Sequence, residues 1–177
     1  MNLTLIDPPE ADSQRELDDL KAVMEQYHNR LVPASLQERC DKDMTGLLHE
    51  YLSNRGIVTD IESLNRIKKQ TKPIIMKLKN HYNRQRPNEL AEELNINWDC
   101  DYMSSAQTPS YPSGHTIQAY VCAGVLANQY PEYSRGLYML AELVSQSRID
   151  RGVHFPSDVD YGRILAKEIL EELFFVS

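Results

Sequence analysis

Long apolar segments and paired cysteines are both scarce in this chain of 177 residues. Its longest uninterrupted apolar run, AYVCAGVLA at residues 119–127, has nine residues, whereas a membrane-spanning helix needs about 20. The three cysteines, Cys40, Cys100 and Cys122, are odd in number, and their spacings match no zinc pattern. We therefore expect no integral membrane segment, no disulfide framework and no cysteine-based metal site.

The N-terminal segment also lacks the basic region and apolar run of a secretory signal peptide. We therefore expect a cytoplasmic protein, or a secreted or periplasmic one if the chain is a trimmed mature form. The net charge is −7 and the sequence pI is about 5.2. This acidity argues against nucleic acid or an anionic membrane surface as the main partner.

Helical periodicity dominates the chain, and no stretch has a convincing strand pattern. Apolar residues recur every three or four positions in six stretches, near residues 17–31, 36–52, 64–82, 115–130, 131–146 and 156–174. The stretch 115–130 is apolar on nearly all sides and predicts a buried central helix, while Pro73 predicts an interruption or kink. We predict an all-α fold, a compact bundle of about six or seven helices, in one domain over residues 1–177.

Three polar clusters stand out within residues 79–158: KNHYNRQRP at 79–87, SYPSGHT at 110–116 and SQSRIDRGVHFPSD at 145–158. Each has an ordinary interpretation by itself. A run of cations on a helix is usually a solvated face, Ser113 is a typical helix cap, and the third cluster reads as a solvated loop. Their joint content also suits phosphate chemistry.

A phosphoryl group needs several fixed cations or N–H donors around its oxygens. Arginine offers a planar fork, lysine a point charge, and a helix that begins at SGHT offers free backbone N–H groups. Two histidines can divide the roles of nucleophile and proton donor, because imidazole titrates near neutrality. Asp158 lies four residues after His154, where it can hold that histidine in one tautomer.

In combination, these residues resemble the type 2 phosphatidic acid phosphatase superfamily. Its three-part signature reads Lys-x6-Arg-Pro, then Pro-Ser-Gly-His, then Ser-Arg-x5-His-x3-Asp, and every specified position is present here, in order. The flanking phrases SYPSGHT and GVHFPSDVDYGR are most similar to bacterial class A non-specific acid phosphatases, which are relatives of the vanadium haloperoxidases. Asp150 and Arg151 lie in a segment that is usually less charged in that family.

The resemblance implies a phosphatase of the acid phosphatase type, a metal-independent phosphomonoester hydrolase that works through a phosphohistidine intermediate. His154 would be the nucleophile, oriented by Asp158, and His115 would protonate the leaving group and then activate water. The implied phosphate-binding residues are Lys79, Arg86, Ser113, Gly114 and Arg148. The resemblance implies no cofactor and no metal ligand, and a small phosphomonoester as the binding partner.

Three other functions stay open at this point. A vanadium-dependent haloperoxidase would bind vanadate at His154, although such enzymes are usually much longer chains. A soluble lipid phosphate phosphatase would use the same residues on another substrate, and a non-catalytic anion-binding module would need no proton donor. The segment YMLAELV at 138–144 offers an apolar face for a homodimer.

Overall fold

The structure, a computed structural model, describes residues 3–100 and 103–175, without the side chain of Phe175. These residues form eight α-helices and no strand, which confirms the predicted all-α fold class. The helices are α1 (Gln14–His28), α2 (Ala34–Lys42), α3 (Met44–Ser53), α4 (Ile61–Tyr82), α5 (Pro87–Glu93), α6 (Gly114–Gln129), α7 (Ser134–Asp150) and α8 (Pro156–Phe175). Single 3₁₀ turns lie at Ser104–Ala106 and Pro131–Tyr133.

One predicted apolar stripe, over residues 36–52, is divided into α2 and α3 at Asp43. The backbone of Asp43 leaves the helical region (φ −139°, ψ 46°), and its carboxylate accepts the Gly46 N–H at 3.1 Å as the cap of α3. Asp competes with helical backbone bonding through such local hydrogen bonds. This break, together with the short helix α5, brings the number of helices above the predicted six or seven.

Helix α4 continues through Pro73 and ends at Asn83, so the predicted interruption at this proline is wrong. Asn83 adopts a left-handed conformation (φ 47°), and its N–H donates to the carbonyl of Lys79. Asparagine tolerates this conformation better than most residues, and it often ends helices in this way. The chain beyond it, residues 84–86, is non-helical up to the start of α5 at Pro87.

Helix α7 extends four residues beyond the predicted end near residue 146, to Asp150. Ala141, Val144 and Arg148 continue one buried face of this helix, and Gly152 ends it with a positive φ of 66°. A side chain at Gly152 would also come within 2.9 Å of the Trp98 ring. Arg148 therefore lies on a rigid helix, while His154 follows in the short connection to α8.

Helix α6 is the central element and packs against α7, α8 and α4, as its all-round apolar pattern predicts. Helices α1, α2 and α3 all pack against α7, and α1 also contacts α5 and α8. Helix α2 thus reaches the end of α7, and α1 reaches the beginning of α8. In the described residues, no helix combines the length and apolar character needed to cross a bilayer.

Candidate active site

His154 and Asp158 form a buried pair at the beginning of α8. His154 Nδ1 lies 3.1 Å from Asp158 Oδ2, and the same carboxylate oxygen accepts the Phe155 N–H at 2.9 Å. His154 Nε2 lies 3.1 Å from Nη1 of Arg86. Because arginine can only donate hydrogen bonds, Nε2 carries a lone pair and the ring proton sits on Nδ1, facing Asp158.

Arg84 holds the other oxygen of Asp158. Its Nη1 lies 2.7 Å from Asp158 Oδ1, its Nη2 lies 2.9 Å from Asp19 Oδ2 in α1, and its guanidinium stacks on the Phe155 ring at 3.8 Å. The sequence placed Arg84 in a cation cluster that is usually a solvated face, yet this side chain is buried. The hydroxyl of Ser157 contacts both Arg84 and Asp19.

Lys79 and Arg86 converge on one loop. Both donate to the carbonyl of Pro109, and Lys79 also donates to Ser110 O at 3.1 Å. Arg86 further donates to Thr108 O at 2.8 Å and to Val153 O at 2.5 Å. These backbone acceptors fix both cations beside His154, which is a position that sequence spacing alone could not give.

Helix α6 begins directly beside this cluster. Ser113 is its N-cap: the hydroxyl accepts the Thr116 N–H, and the Ser113 N–H donates to Asp158 O at 3.0 Å. Gly114 is the first helical residue, and a side chain there would meet Ile75 and Lys79 at 3.2 and 3.9 Å. The first N–H groups of a helix have no intrahelical acceptor, so Gly114 presents a donor next to Lys79.

Arg148 and His115 meet at a carboxylate that the sequence analysis did not single out, Asp41 in α2. Arg148 Nη1 lies 2.6 Å from Asp41 Oδ1. His115 Nε2 lies 3.3 Å from the same oxygen and 3.1 Å from the Asp41 carbonyl. Arg148 Nη2 donates to Ser105, which in turn donates to Asp41. No motif marks Asp41, because it lies in a helix without any signature.

Burial and mutual repulsion among the cations shift the protonation of this cluster. Burial, reinforced by Arg86, lowers the pKa of Lys79 to about 7, and burial lowers that of Arg86 to about 10. Burial and the charge of Arg86 hold the pKa of His154 well below its usual range. Burial and Arg148 lower the pKa of His115 to about 4.

The pKa values of the two carboxyl groups, Asp41 and Asp158, shift in opposite directions. Although burial opposes it, the hydrogen bond from His115 and the charge of Arg148 lower the pKa of Asp41 well below its usual range. Burial raises the pKa of Asp158, and the charge of Arg84 opposes that rise. Charged donors therefore surround a neutral His154.

Two clefts flank the cluster. One, of about 430 Å³, is lined by Arg84, Arg86, Thr108 and Pro109. The other, of about 300 Å³, is lined by Asp41, Lys42, Met103 and Arg151. In the part of the chain that the structure describes, no group of three or more His, Cys, Asp or Glu side chains is arranged to hold a metal ion.

The structure thus brings together all eight site residues that the sequence singled out. Ser147, the serine of the third signature element, donates its hydroxyl to Val144 O within its own helix. The sequence missed Arg84, Asp19 and Asp41. Of these, Arg84 belongs to the first polar cluster, where it stands between Lys79 and Arg86, whereas Asp19 and Asp41 lie in no motif.

Comparisons with known proteins identify the family. The family model of the PAP2 superfamily matches residues 71–168. An acid phosphatase from Zymomonas mobilis subsp. mobilis is 31% identical over 133 residues, which cover 71% of this chain and 50% of that protein. A non-specific acid phosphatase from Salmonella typhimurium is 36% identical over 85 residues, covering 48% and 34% of the two chains.

The fold also has a counterpart among solved structures. The first transmembrane PAP2 type phosphatidylglycerolphosphate phosphatase from Bacillus subtilis aligns with a TM-score of 0.54 and 22% identity, covering 93% of this chain and 85% of that one. At this identity the likeness concerns the fold alone. The chain spans half the length or less of these two acid phosphatases, and the family-model match includes all eight of the site residues. This chain belongs to the PAP2 superfamily.

Proposed function

We propose that this protein is a phosphomonoester hydrolase of the acid phosphatase type, with His154 as the nucleophile. The observation that carries the proposal is the hydrogen-bonded series Asp158–His154–Arg86. It holds a neutral imidazole with its Nε2 lone pair next to an arginine. A buried nucleophile beside a buried cation suits an anionic electrophile such as a phosphate ester.

The surrounding donors suit the three non-reacting phosphate oxygens. Lys79, Arg86 and Arg148 supply positive charge, while Ser113 and the Gly114 N–H supply neutral donors at the start of α6. Arg148 also carries a buried Nε–H with no hydrogen-bond partner among the described residues. An unpaired buried donor is costly, and an anion oxygen would satisfy it.

In the first step, His154 Nε2 attacks phosphorus, and the bond from phosphorus to the leaving oxygen breaks. His115 gives that oxygen a proton, so an alcohol departs and a phosphohistidine stays on the protein. Asp158 accepts the Nδ1–H bond throughout and stabilises the positive charge that develops on His154. The bound phosphate also raises the low pKa of His115, because a nearby anion favours its charged form.

In the second step, the neutral His115 takes a proton from water as the water attacks phosphorus. The bond between phosphorus and Nε2 breaks, inorganic phosphate leaves, and both histidines return to their starting states. The charge that a metal ion would bring in other phosphatases is supplied here by Lys79, Arg86 and Arg148. We therefore propose a metal-independent reaction.

The test is a hydrolysis screen on the purified chain with aryl and alkyl phosphates, lipid phosphates, pyrophosphate and nucleotides, with and without EDTA. Bromide oxidation is measured in parallel after loading with orthovanadate. We expect phosphomonoester hydrolysis that survives EDTA, inhibition by micromolar vanadate, and little halide oxidation. Robust halide oxidation without hydrolysis would replace the proposal with the haloperoxidase reaction, and loss of hydrolysis on chelation, restored by a divalent ion, would refute metal independence.

A further inference from the structure

We propose that Asp41 is the positioning residue for His115, so that the site contains two histidine–carboxylate pairs rather than one. The proposal rests on the proposed phosphatase function, in which His115 exchanges the proton. Asp41 lies outside the three signature clusters and outside residues 71–168, which match the family model. It comes from α2, a helix in the N-terminal part of the chain.

The geometry fixes one tautomer of His115. Its Nε2 contacts two acceptors, the Asp41 carbonyl at 3.1 Å and the Asp41 carboxylate at 3.3 Å. Two acceptors around one ring nitrogen require that nitrogen to carry the hydrogen. Nε2–H therefore faces Asp41, and Nδ1 is left to exchange a proton with the leaving oxygen and then with water.

The two histidines consequently use opposite ring nitrogens. His154 donates from Nδ1 to Asp158 and attacks with Nε2, whereas His115 donates from Nε2 to Asp41 and transfers a proton through Nδ1. In each case a carboxylate selects the tautomer and stabilises the protonated ring. The nucleophile's carboxylate comes from the signature region, and the carboxylate of the proton donor comes from α2.

Asp41 itself is firmly held. Its Oδ1 receives hydrogen bonds from Arg148 at 2.6 Å and from Ser105 at 2.7 Å, and its side chain is 11% exposed. The other groups that act electrostatically on Asp41 or His115 are Arg148 on α7, His154 before α8, and Cys40 and Lys42 on α2. Arg148 disfavours the protonated form of His115, and the carboxylate of Asp41 favours it.

The first test is Asp41→Asn, with Asp43→Asn as the matched control. Asp43 is a nearby exposed aspartate that caps α3, and asparagine caps helices equally well. For Asp41→Asn we expect kcat with an alkyl phosphate to fall by about 10²-fold and kcat with p-nitrophenyl phosphate by less than about tenfold, because only the alkyl leaving group depends strongly on a proton donor.

The pH profile gives a second readout from the same variant. Without the carboxylate, protonated His115 is less stable, so its pKa falls. The alkaline limb of kcat for the alkyl ester should then move to lower pH, while Asp43→Asn leaves it in place. If kcat falls equally for the two esters, the pH profile of kcat is unshifted and KM rises, then Asp41 only holds Arg148 in place. That outcome would overturn the proposal.

A measurement on the unmodified protein keeps the proposal testable even if Asp41→Asn does not fold. Two-bond ¹⁵N–¹H spectra, with the His115 signal assigned from His115→Gln, report the tautomer directly. We expect Nε2–H for His115 and Nδ1–H for His154, and Nδ1–H on His115 would overturn the pairing. The same spectra of Asp41→Asn, if it folds, separate the carboxylate from the backbone carbonyl. This readout needs no turnover, so it tests the pairing even if the screen finds no hydrolysed phosphomonoester.

Discussion

The signature region, residues 79–158, and the N-terminal helices α1–α3 both contribute to the site, but only the signature region can be recognised from its sequence. The signature region carries every residue that the family resemblance assigns a role. The N-terminal helices carry no recognisable motif, yet α1 supplies Asp19 to Arg84, and α2 supplies Asp41 to Arg148 and His115. Residues that the signature names are therefore held in part by groups from regions without any signature.

A third carboxylate joins the same two regions by hydrogen bonds that involve none of the eight site residues. Asp150, at the end of α7, accepts the backbone N–H groups of Leu31 and Val32 at 2.9 and 2.7 Å, and Gln146 at 2.8 Å. It is fully buried. Asp150 thus ties the connection between α1 and α2 to α7.

The largest effect should come from the signature region, in His154→Ala. We expect kcat to fall on the order of 10³-fold or more, because the covalent route loses its nucleophile. Circular dichroism checks the fold, and His81→Ala, on the exposed side of α4, is the control. High residual activity in folded protein, with no phosphohistidine trapped from the wild type, would contradict the nucleophile assignment.

The next effect concerns Lys79 and pH. Its pKa of about 7 means that the lysine is charged below pH 7 and progressively neutral above it, so affinity for anions should fall as pH rises. Sulfate is a suitable competitive inhibitor, because it keeps its charge over this range. We expect its inhibition constant to rise about tenfold per pH unit between roughly pH 7 and 9.

Lys79→Arg sharpens this test, because arginine stays charged at pH 9. The slope against pH should flatten in this variant, whatever happens to the absolute affinity. Lys77→Arg, on an exposed position of the same helix, should keep the wild-type slope. An unchanged slope in Lys79→Arg would show that another group governs the binding of anions.

A smaller effect should come from the N-terminal region, in Asp19→Asn compared with Asp18→Asn. Asp19 is nearly buried against Arg84, so losing its charge should lower the free energy of unfolding by about 1–3 kcal/mol. Because Arg84 also holds Asp158, kcat should fall several-fold with little change in KM. Asp18 is exposed, and its change should stay within about 0.5 kcal/mol. Stability loss with unaltered kcat would mean that α1 only packs against the site.

The smallest effect on activity should come from Asp150→Asn. Both backbone N–H groups bond to Oδ2, so the asparagine oxygen can still accept them, but the charge that strengthens these buried hydrogen bonds is lost, which should lower the free energy of unfolding by about 1 kcal/mol. At temperatures where the variant is folded, kcat should match the wild type. Urea denaturation measures the free energy of unfolding, and a phosphatase assay on the same sample measures kcat. A clear loss of kcat would show that the connection between α1 and α2 affects catalysis.

Helix periodicity predicted the all-α class and the central position of α6, because an apolar surface on all sides has to be buried. The signature predicted eight site residues, and the structure places them in one cluster; the roles that the family resemblance gives them stay predictions. Helix periodicity is a local property of the sequence, and the signature comes from the resemblance to a family.

The partners of these residues were beyond sequence reasoning, because long-range pairing leaves no local pattern. Asp41 is an ordinary residue of α2 until α7 brings Arg148 to 2.6 Å from it. The division of residues 34–53 at Asp43 and the extension of α7 to Asp150 depend on tertiary packing in the same way. Periodicity gives the faces of helices, but it does not give which helix each face meets.

The non-helical segment after α4 has a consequence for how this region can vary. Arg84 and Arg86, with Gln85 between them, bracket the Asp158–His154 pair: the first contacts Asp158 and the second contacts His154. Ser110 holds the segment in place: its N–H donates to the carbonyl of Arg84, and its hydroxyl donates to the carbonyl of Gln85. The single residue between Arg84 and Arg86 sets the distance between their two guanidinium groups. Deleting Gln85, or inserting a residue next to it, should therefore misplace both groups at once. A change in the length of this segment should be tolerated less well than a substitution of Gln85.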